Sequence, residues 1–347
     1  MGGVAVSAGG SRMDRGKYFV RPFREEDYES WSRISRTVNP EFAFTAEEER
    51  HWERQFMVAP FINEKWIVED RGSGEAVALA SMSHSPFSFD PHKFWAFVAV
   101  DPEHRRRGLG QALSALLESE ASAHHALCFW TNVRWDDPRS LEFARRLGFV
   151  ELRRLWMSVL DLAQSGSATA PDRGAQLEHE GIRFTVLSAE GPTRPEVRHR
   201  LFELVDEAGR DVPRMGDYSP ITFEQFEGEL FGPTFLPDAI FLACEGETYV
   251  GVSTLERSLA DPESLRVGFT GTRAKLRGRG IASELKRRAL EYARAAGVRY
   301  LRTVNDSLNL RMWAINERQG FRRTIEWSAQ ERRFSPEAGT VPPAKAP

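Results

Sequence analysis

Apolar and polar positions follow one another along this chain in an order that occurs twice. Near the start, "YFVRPFREEDYESWSRI" (18–34) predicts a short strand entering a helix, the apolar spacing passing from alternation to every third or fourth residue. "KWIVEDRGSGEAVALASMS" (65–83) predicts two strands that turn on a glycine-bearing polar stretch. "KFWAFVAV" (93–100) predicts a further strand and "GQALSALLESEASAH" (110–124) a helix with one apolar face. A strand and a helix follow, then a Gly-Phe dipeptide at Gly148 that opens a last hairpin. In the second half the same series reads "IRFTVLSAEG" (182–191), "EVRHRLFELVDEAG" (196–209), "IFLACEGETYVGVSTLE" (240–256), "LRVGFTGT" (265–272) and "ASELKRRALEYARAAG" (282–297). It too closes on a Gly-Phe dipeptide, at Gly320.

Three landmarks keep one spacing. Gly108 and Gly280, Gly148 and Gly320, and Thr131 and Thr303 each lie 172 residues apart. Three landmarks in register indicate two copies of one domain. The expected fold is therefore α/β, with two tandem domains at 17–162 and 180–334. A small-residue linker occupies 163–179, and a leader (1–16) and tail (335–347) are expected to be disordered.

Composition narrows the function. The 347 residues, 41% of them hydrophobic, can supply a core for each copy. A net charge of −3 gives no broad attraction to nucleic acid. "FWAFVAV" is far shorter than the roughly 20 apolar residues that span a bilayer. With no apolar signal core in "MGGVAVSAGGSRMDRGK", the expected compartment is the cytoplasm, with no membrane partner. Cys128 and Cys244 sit in apolar runs and read as core thiols, and the eight histidines form no ligand pattern, so no metal is expected.

The chemistry gathers at "RRRGLGQAL" (105–113) and "RGRGIASEL" (277–285). A glycine turn between a strand and a helix aims several backbone N–H groups one way, and the helix dipole adds positive potential. Arginines at 105–107, 277 and 279 add charged donors, so each turn reads as a phosphate or pyrophosphate site. Neither turn has the lysine and Ser/Thr of a nucleoside-triphosphate loop, nor the three glycines and distant acid of a dinucleotide fingerprint.

Arg-x-x-Gly-x-Gly/Ala after an apolar strand, then a helix, a strand, an Asn-bearing helix and Gly-Phe, resembles the GNAT acyltransferase superfamily, here as a tandem member. The stretches that carry the likeness are "DPEHRRRGLGQAL" and "TRAKLRGRGIASEL". The resemblance implies a mixed central sheet flanked by helices in each domain, and acetyl-CoA or another acyl-CoA as co-substrate. The pyrophosphate would lie on Arg105, Arg106, Arg107, Gly108, Leu109 and Gly110, or on Arg277, Gly278, Arg279, Gly280, Ile281 and Ala282. Pantetheine would run beside Val98, Ala99 and Val100, or Thr270, Gly271 and Thr272. A small amine would attack the thioester.

The family's helix asparagine, eleven residues before the Gly-Phe glycine, falls on Asn309 in the second copy and on Asp137 in the first. On that ground the working site, and the tighter CoA site, are expected in the C-terminal copy. The family's tyrosine acid falls on Ala144 and Asn316, so both copies lack it. Asn316 could orient a water or the sulfur, and Tyr218 is a candidate substitute acid. Glu256, ending its strand, is the candidate base, with Asp306 as alternative; either could equally be a surface carboxylate. Trp130, Trp135 and Trp313 could line an acceptor pocket or fill the core. Two other functions stay open: a non-catalytic CoA-binding or sensory protein, and acylation of protein termini or lysines.

Overall fold

Alternating apolar residues become strands here, and stretches with one apolar face become helices. In chain order the first half contains β1 (Tyr18–Pro22), α1 (Tyr28–Val38), α2 (Ala46–Phe56), β2 (Asn63–Asp70), β3 (Ala76–Ser83), β4 (Lys93–Val100), α3 (Leu109–Ala123), β5 (Cys128–Arg134), α4 (Pro138–Arg146) and β6 (Val150–Asp161). The second contains α5 (Gly174–His179), β7 (Ile182–Val186), α6 (Leu187–Glu190), α7 (Pro195–Gly209), α8 (Phe223–Leu230), β8 (Ile240–Glu245), β9 (Thr248–Arg257), β10 (Ser264–Thr272), α9 (Ile281–Ala295), β11 (Tyr300–Asp306), α10 (Leu310–Arg318) and β12 (Arg322–Arg333). The structure is a computed structural model that describes residues 13–56, 60–165 and 172–334. The expected tail, and all but 13–16 of the expected leader, lie outside the described residues. No helix among the described residues is long and apolar enough to cross a membrane.

The chain forms two compact units whose limits differ from the expected contiguous domains. Among the described residues, one unit holds 13–42, 60–152 and 328–334; the other holds 43–56, 153–165 and 172–327. In the first, the sheet runs β1-β2-β3-β4-β5 and is completed by the 328–333 end of β12 beside β5. There Phe334 N donates to Leu127 O at 2.8 Å. In the second, the order is β7-β8-β9-β10-β11, completed by β6, which pairs antiparallel to β11 from Tyr300↔Asp161 to Asp306↔Leu155. The hairpin expected after each Gly-Phe is thus a single twelve-residue strand. Part of the expected linker is also structured, since α5 buries Leu177 completely in the second unit's core.

Each sheet is covered on both faces. In the first unit α3 lays Leu109, Leu113, Leu116 and Leu117 against Val68, Phe94 and Phe129, while α1 sets Trp31 and Ile34 against Ile67 and Leu79. In the second, α9 packs Ile281, Leu285 and Leu290 on Leu255, Leu265 and Leu301, and α7 packs Leu201 and Leu204 on Leu242 and Val252. Fully burying one such side chain contributes roughly 1.5–3 kcal/mol, so these faces fix the helices whose N-termini matter below. Cys128 and Cys244 lie in these interiors, where burial pushes their thiols up to about 12 and about 11.

One irregularity in each sheet makes room for a ligand. The parallel β4–β5 ladder lasts only from Lys93↔Cys128 to Trp95↔Trp130, after which β4 stays with β3 up to Val100. β10 and β11 likewise pair only from Ser264↔Tyr300 to Arg266↔Arg302. A wedge opens beyond each short ladder.

Candidate active site

In the first unit the wedge is a cleft of about 1250 Å³. Val98, Ala99 and Val100 form one wall, Thr131 to Arg134 the other, and the turn from Arg105 to Gly110 closes one end. Arg106 (φ 63°) and Gly108 (φ 81°) are both left-handed, a backbone form that turns successive N–H groups inward as an anion cradle. An arginine in that conformation is strained, and such strain concentrates at functional positions. A Cβ at Gly110 would lie 3.3 Å from Phe143 Cζ of α4, a tight contact to which the ring would have to yield by a few tenths of an ångström. Leu109 is buried and anchors the start of α3. The three turn arginines are exposed and bond only to neutral groups among the described residues: Arg105 Nε donates to Val100 O (3.1 Å), and Arg107 donates to the Tyr18 hydroxyl (2.8 Å) and to Glu103 O (3.0 Å).

The second unit builds the same turn with glycines at both left-handed positions, Gly278 (φ 82°) and Gly280 (φ 94°), ahead of buried Ile281 and half-buried Ala282. Its arginines are already engaged. Arg277 Nη1 lies 2.5 Å from Asp211 Oδ2, and Arg279 lies 2.9 Å from Glu180 Oε2 and 3.9 Å from Glu245 Oε1. The Arg173 side chain packs against Gly280. On β10, Thr270 Oγ1 is 2.9 Å from Ser253 Oγ, a Gly271 Cβ would strike the Phe269 ring, and Thr272 is buried.

What β10 of the second unit has and β4 of the first lacks is a bulge beside a carboxylate. The β9–β10 register slips between Val267 and Thr270, leaving Gly268 and Phe269 out of the ladder, whereas β3 and β4 pair without a break. Phe269 N donates instead to Thr254 Oγ1 at 2.8 Å. Glu256, half-buried, rests on Gly268, with no hydrogen bond or ion pair among the described residues. Burial pushes its carboxyl above the ordinary value; Arg266 opposes this and Glu48 adds to it. Glu229 on α8 reaches solvent yet is ringed by protein, and that desolvation, with the charge of Glu256, raises it to about 7.

The remaining sequence candidates have other occupations. Asn309 caps α10, its Oδ1 accepting from Met312 N at 3.3 Å, and Asp137 caps α4 in the same way, accepting from Arg139 N and Ser140 N. The Asn/Asp difference is therefore a difference between two caps and gives no ground for ranking the turns. Asn316 is fully buried, where its Nδ2 donates to Asn305 Oδ1 at 2.7 Å, so it does not face a cleft. The Tyr218 hydroxyl donates to Asp206 at 2.5 Å, and burial reinforced by that bond pushes it up to about 12, a poor acid at neutral pH. Asp306 is buried and accepts from Arg153 and from Leu308 N. Trp130 is a core residue that donates to Glu331, Trp135 is exposed, and Trp313 stacks beneath Arg323. Glu64, Glu120 and His124 bring their ligand atoms within 4.8 Å of one another, with His124 hydrogen-bonded to Glu64 at 3.1 Å.

Sequence reasoning passed over Gly268, Glu229, Arg266 and Glu48. A glycine inside the strand "LRVGFTGT" was the available signal for the bulge. "TAEE" at Thr45 to Glu48 was the signal for a capped helix.

Comparison with known proteins agrees with this geometry. Residues 23–149 and 202–321 match the Acetyltransferase (GNAT) family. A mycothiol acetyltransferase of Beutenbergia cavernae is 27% identical over 224 residues, 65% of this chain and 72% of the relative. Among solved structures, a tandem GNAT protein from the clavulanic acid biosynthesis pathway superposes with a TM-score of 0.70 at 18% identity, covering 92% of this chain and 100% of the other. A GCN5-related N-acetyltransferase from Sphaerobacter thermophilus gives 0.68 at 21% identity, covering 92% and 96%; at such identities both likenesses speak for the fold alone. With a family match in each half, around two copies of one glycine turn, the chain belongs to the GNAT acetyltransferase family.

Proposed function

We propose that this protein is an acyl-CoA-dependent N-acyltransferase that moves an acetyl group from acetyl-CoA to a small-molecule amine, with the chemistry in the second unit. The observation that carries the reading is Glu256, unpaired and raised by burial, lying on the β10 bulge at Gly268. A base for an ammonium needs a pKa moved toward the working pH, and desolvation supplies that shift. The mycothiol acetyltransferase relative favours acetyl as the transferred group.

Acetyl-CoA would supply a thioester carbonyl and a thiol leaving group. The residues fitted to it in the second unit are the Gly278–Gly280 turn for the pyrophosphate and the splayed 270–272 strand for the pantetheine arm. Glu256 would accept the ammonium proton. The Phe269 N–H at the bulge, exchanging Thr254 Oγ1 for the carbonyl oxygen, would donate to it as charge develops, an interaction worth about 3 kcal/mol per donor. Tyr218, committed to Asp206, is not the acid of this scheme, and the departing thiolate would take its proton from water.

The first unit's cleft of about 1250 Å³ fits the same cofactor, with Arg105 and Arg107 bonded only to neutral groups among the described residues, but its strand has no bulge. His84 follows β3 at the position that Glu256, the last residue but one of β9, holds 172 residues later; it is buried, its Nδ1 accepts from Ile62 N at 2.9 Å, and burial lowers its pKa. We read it as a second acyl-CoA site without chemistry of its own. Thiol release from acetyl-CoA against a panel of amines tests the proposal. Amine-dependent release supports it, whereas CoA binding without release from any amine favours a CoA-binding or sensory protein.

A further inference from the structure

Arg266 and Glu256 are directly paired across the β9–β10 ladder, yet their side chains form no ion pair. The guanidinium turns instead to α2, where its Nη2 lies 2.6 Å from Glu48 Oε1 and 3.1 Å from Arg257 O, and it stacks on the Phe44 ring at 4.7 Å. Glu48 is buried, and its other oxygen is occupied: Oε2 accepts from Thr45 N (2.9 Å) and Thr45 Oγ1 (3.1 Å), while Glu48 N donates to Thr45 Oγ1 (3.2 Å). This is a capping box whose glutamate uses its second oxygen on an arginine. The helix is held by α8 as well, His51 Nε2 lying 2.8 Å from Gly228 O of that helix.

We propose that Glu48 is a positioning residue for the second unit's site: by engaging Arg266 it leaves Glu256 unpaired beside the bulge at Gly268. The inference rests on the reading of Glu256 as the base. Segment 43–56, which precedes the whole second repeat in sequence, would then be a working part of that repeat's site. The charged groups acting on Glu256 are Arg266 from β10, Glu48 from α2 and Glu229 from α8. Without Glu48, the arginine's attraction for Glu256 is no longer shared with a second carboxylate, and one of the two repelling charges disappears. Both changes favour the carboxylate, so its pKa falls.

The test is a ¹³C NMR titration of glutamate carboxyls in the full chain, with the Glu256 signal assigned by its loss in Glu256→Gln. Glu48→Gln retains a side-chain acceptor for the capping box, and should lower the Glu256 pKa by about one pH unit. Arg266→Met should raise it. Opposite movements support the proposal; an unmoved Glu256 in Glu48→Gln, or movement of both variants in one direction, overturns it. Should Glu48→Gln fail to fold, Arg266→Met alone decides, since an unmoved Glu256 there also overturns it. Undiminished thiol release by Glu256→Gln would overturn the functional reading itself, whatever the titrations show.

Discussion

Gly268 and Glu256 share one space: a Cβ on the glycine would fall inside the glutamate carboxylate. The nearest atoms are those of the Glu256 carboxylate and Thr254 Oγ1, so Gly268→Ala should displace both the glutamate and the Thr254 hydroxyl that accepts from Phe269 N. The expected result is a folded protein with kcat lowered about tenfold or more and the KM for acetyl-CoA within about twofold of the parent. Steady-state kinetics with circular dichroism as the folding control would check it.

Asn316 makes a prediction of another kind, because its position in the family pattern suggests chemistry and its surroundings do not. Asn316→Ala removes the partner of buried Asn305 Oδ1 and leaves a cavity, an effect larger than the relief of losing Asn316 Oδ1, itself buried without a partner among the described residues. Leaving a buried acceptor unsatisfied costs about 1–3 kcal/mol. Denaturant unfolding should show that loss, while kcat at a temperature well below the transition stays within about threefold. A large fall in kcat at unchanged stability would return Asn316 to the active site.

The two turns should bind CoA unequally. Arginines of the first face solvent and neutral partners, whereas Arg277 and Arg279 must exchange Asp211 and Glu180 for phosphate. Gly108→Asp, which places a carboxylate and a Cβ at a left-handed position, should abolish the tighter of two binding events in calorimetry. Gly280→Asp should abolish the weaker. The reverse assignment would contradict the reading of the ion pairs.

The repeat, the turns, the strands and the helices α1, α3, α4, α7, α9 and α10 were legible in the sequence, because glycines at fixed spacing and amphipathic periodicity are local properties; α2, α5, α6 and α8 were not read. Strand partners were not. β6 and β12 carry ordinary alternating patterns, and nothing in "ELRRLWMSVL" states that it will pair with Tyr300–Asp306. Glu256 was visible only as an acid at a strand end; what distinguishes it is where Arg266 points, which depends on a helix some 200 residues earlier in the chain. Asn309 failed as a marker for a similar reason, since aspartate and asparagine cap a helix equally well. "TAEE" signalled a helix start, while the use of its glutamate's second oxygen lay wholly in tertiary structure.

The most direct test is thiol release from acetyl-CoA, in the presence of an amine acceptor, by the parent and by Glu256→Gln across pH. Glu256 must be ionised to accept a proton, and burial has raised its pKa. The parent rate should therefore fall on acidification through a limb lying above the ordinary glutamate value near 4.3. At neutral pH Glu256→Gln should be slower by about 10²–10⁴-fold. That deficit should narrow as rising pH deprotonates the amine without help. A variant within about twofold of the parent at every pH, with the acidic limb retained, would contradict the assignment of Glu256 as the base.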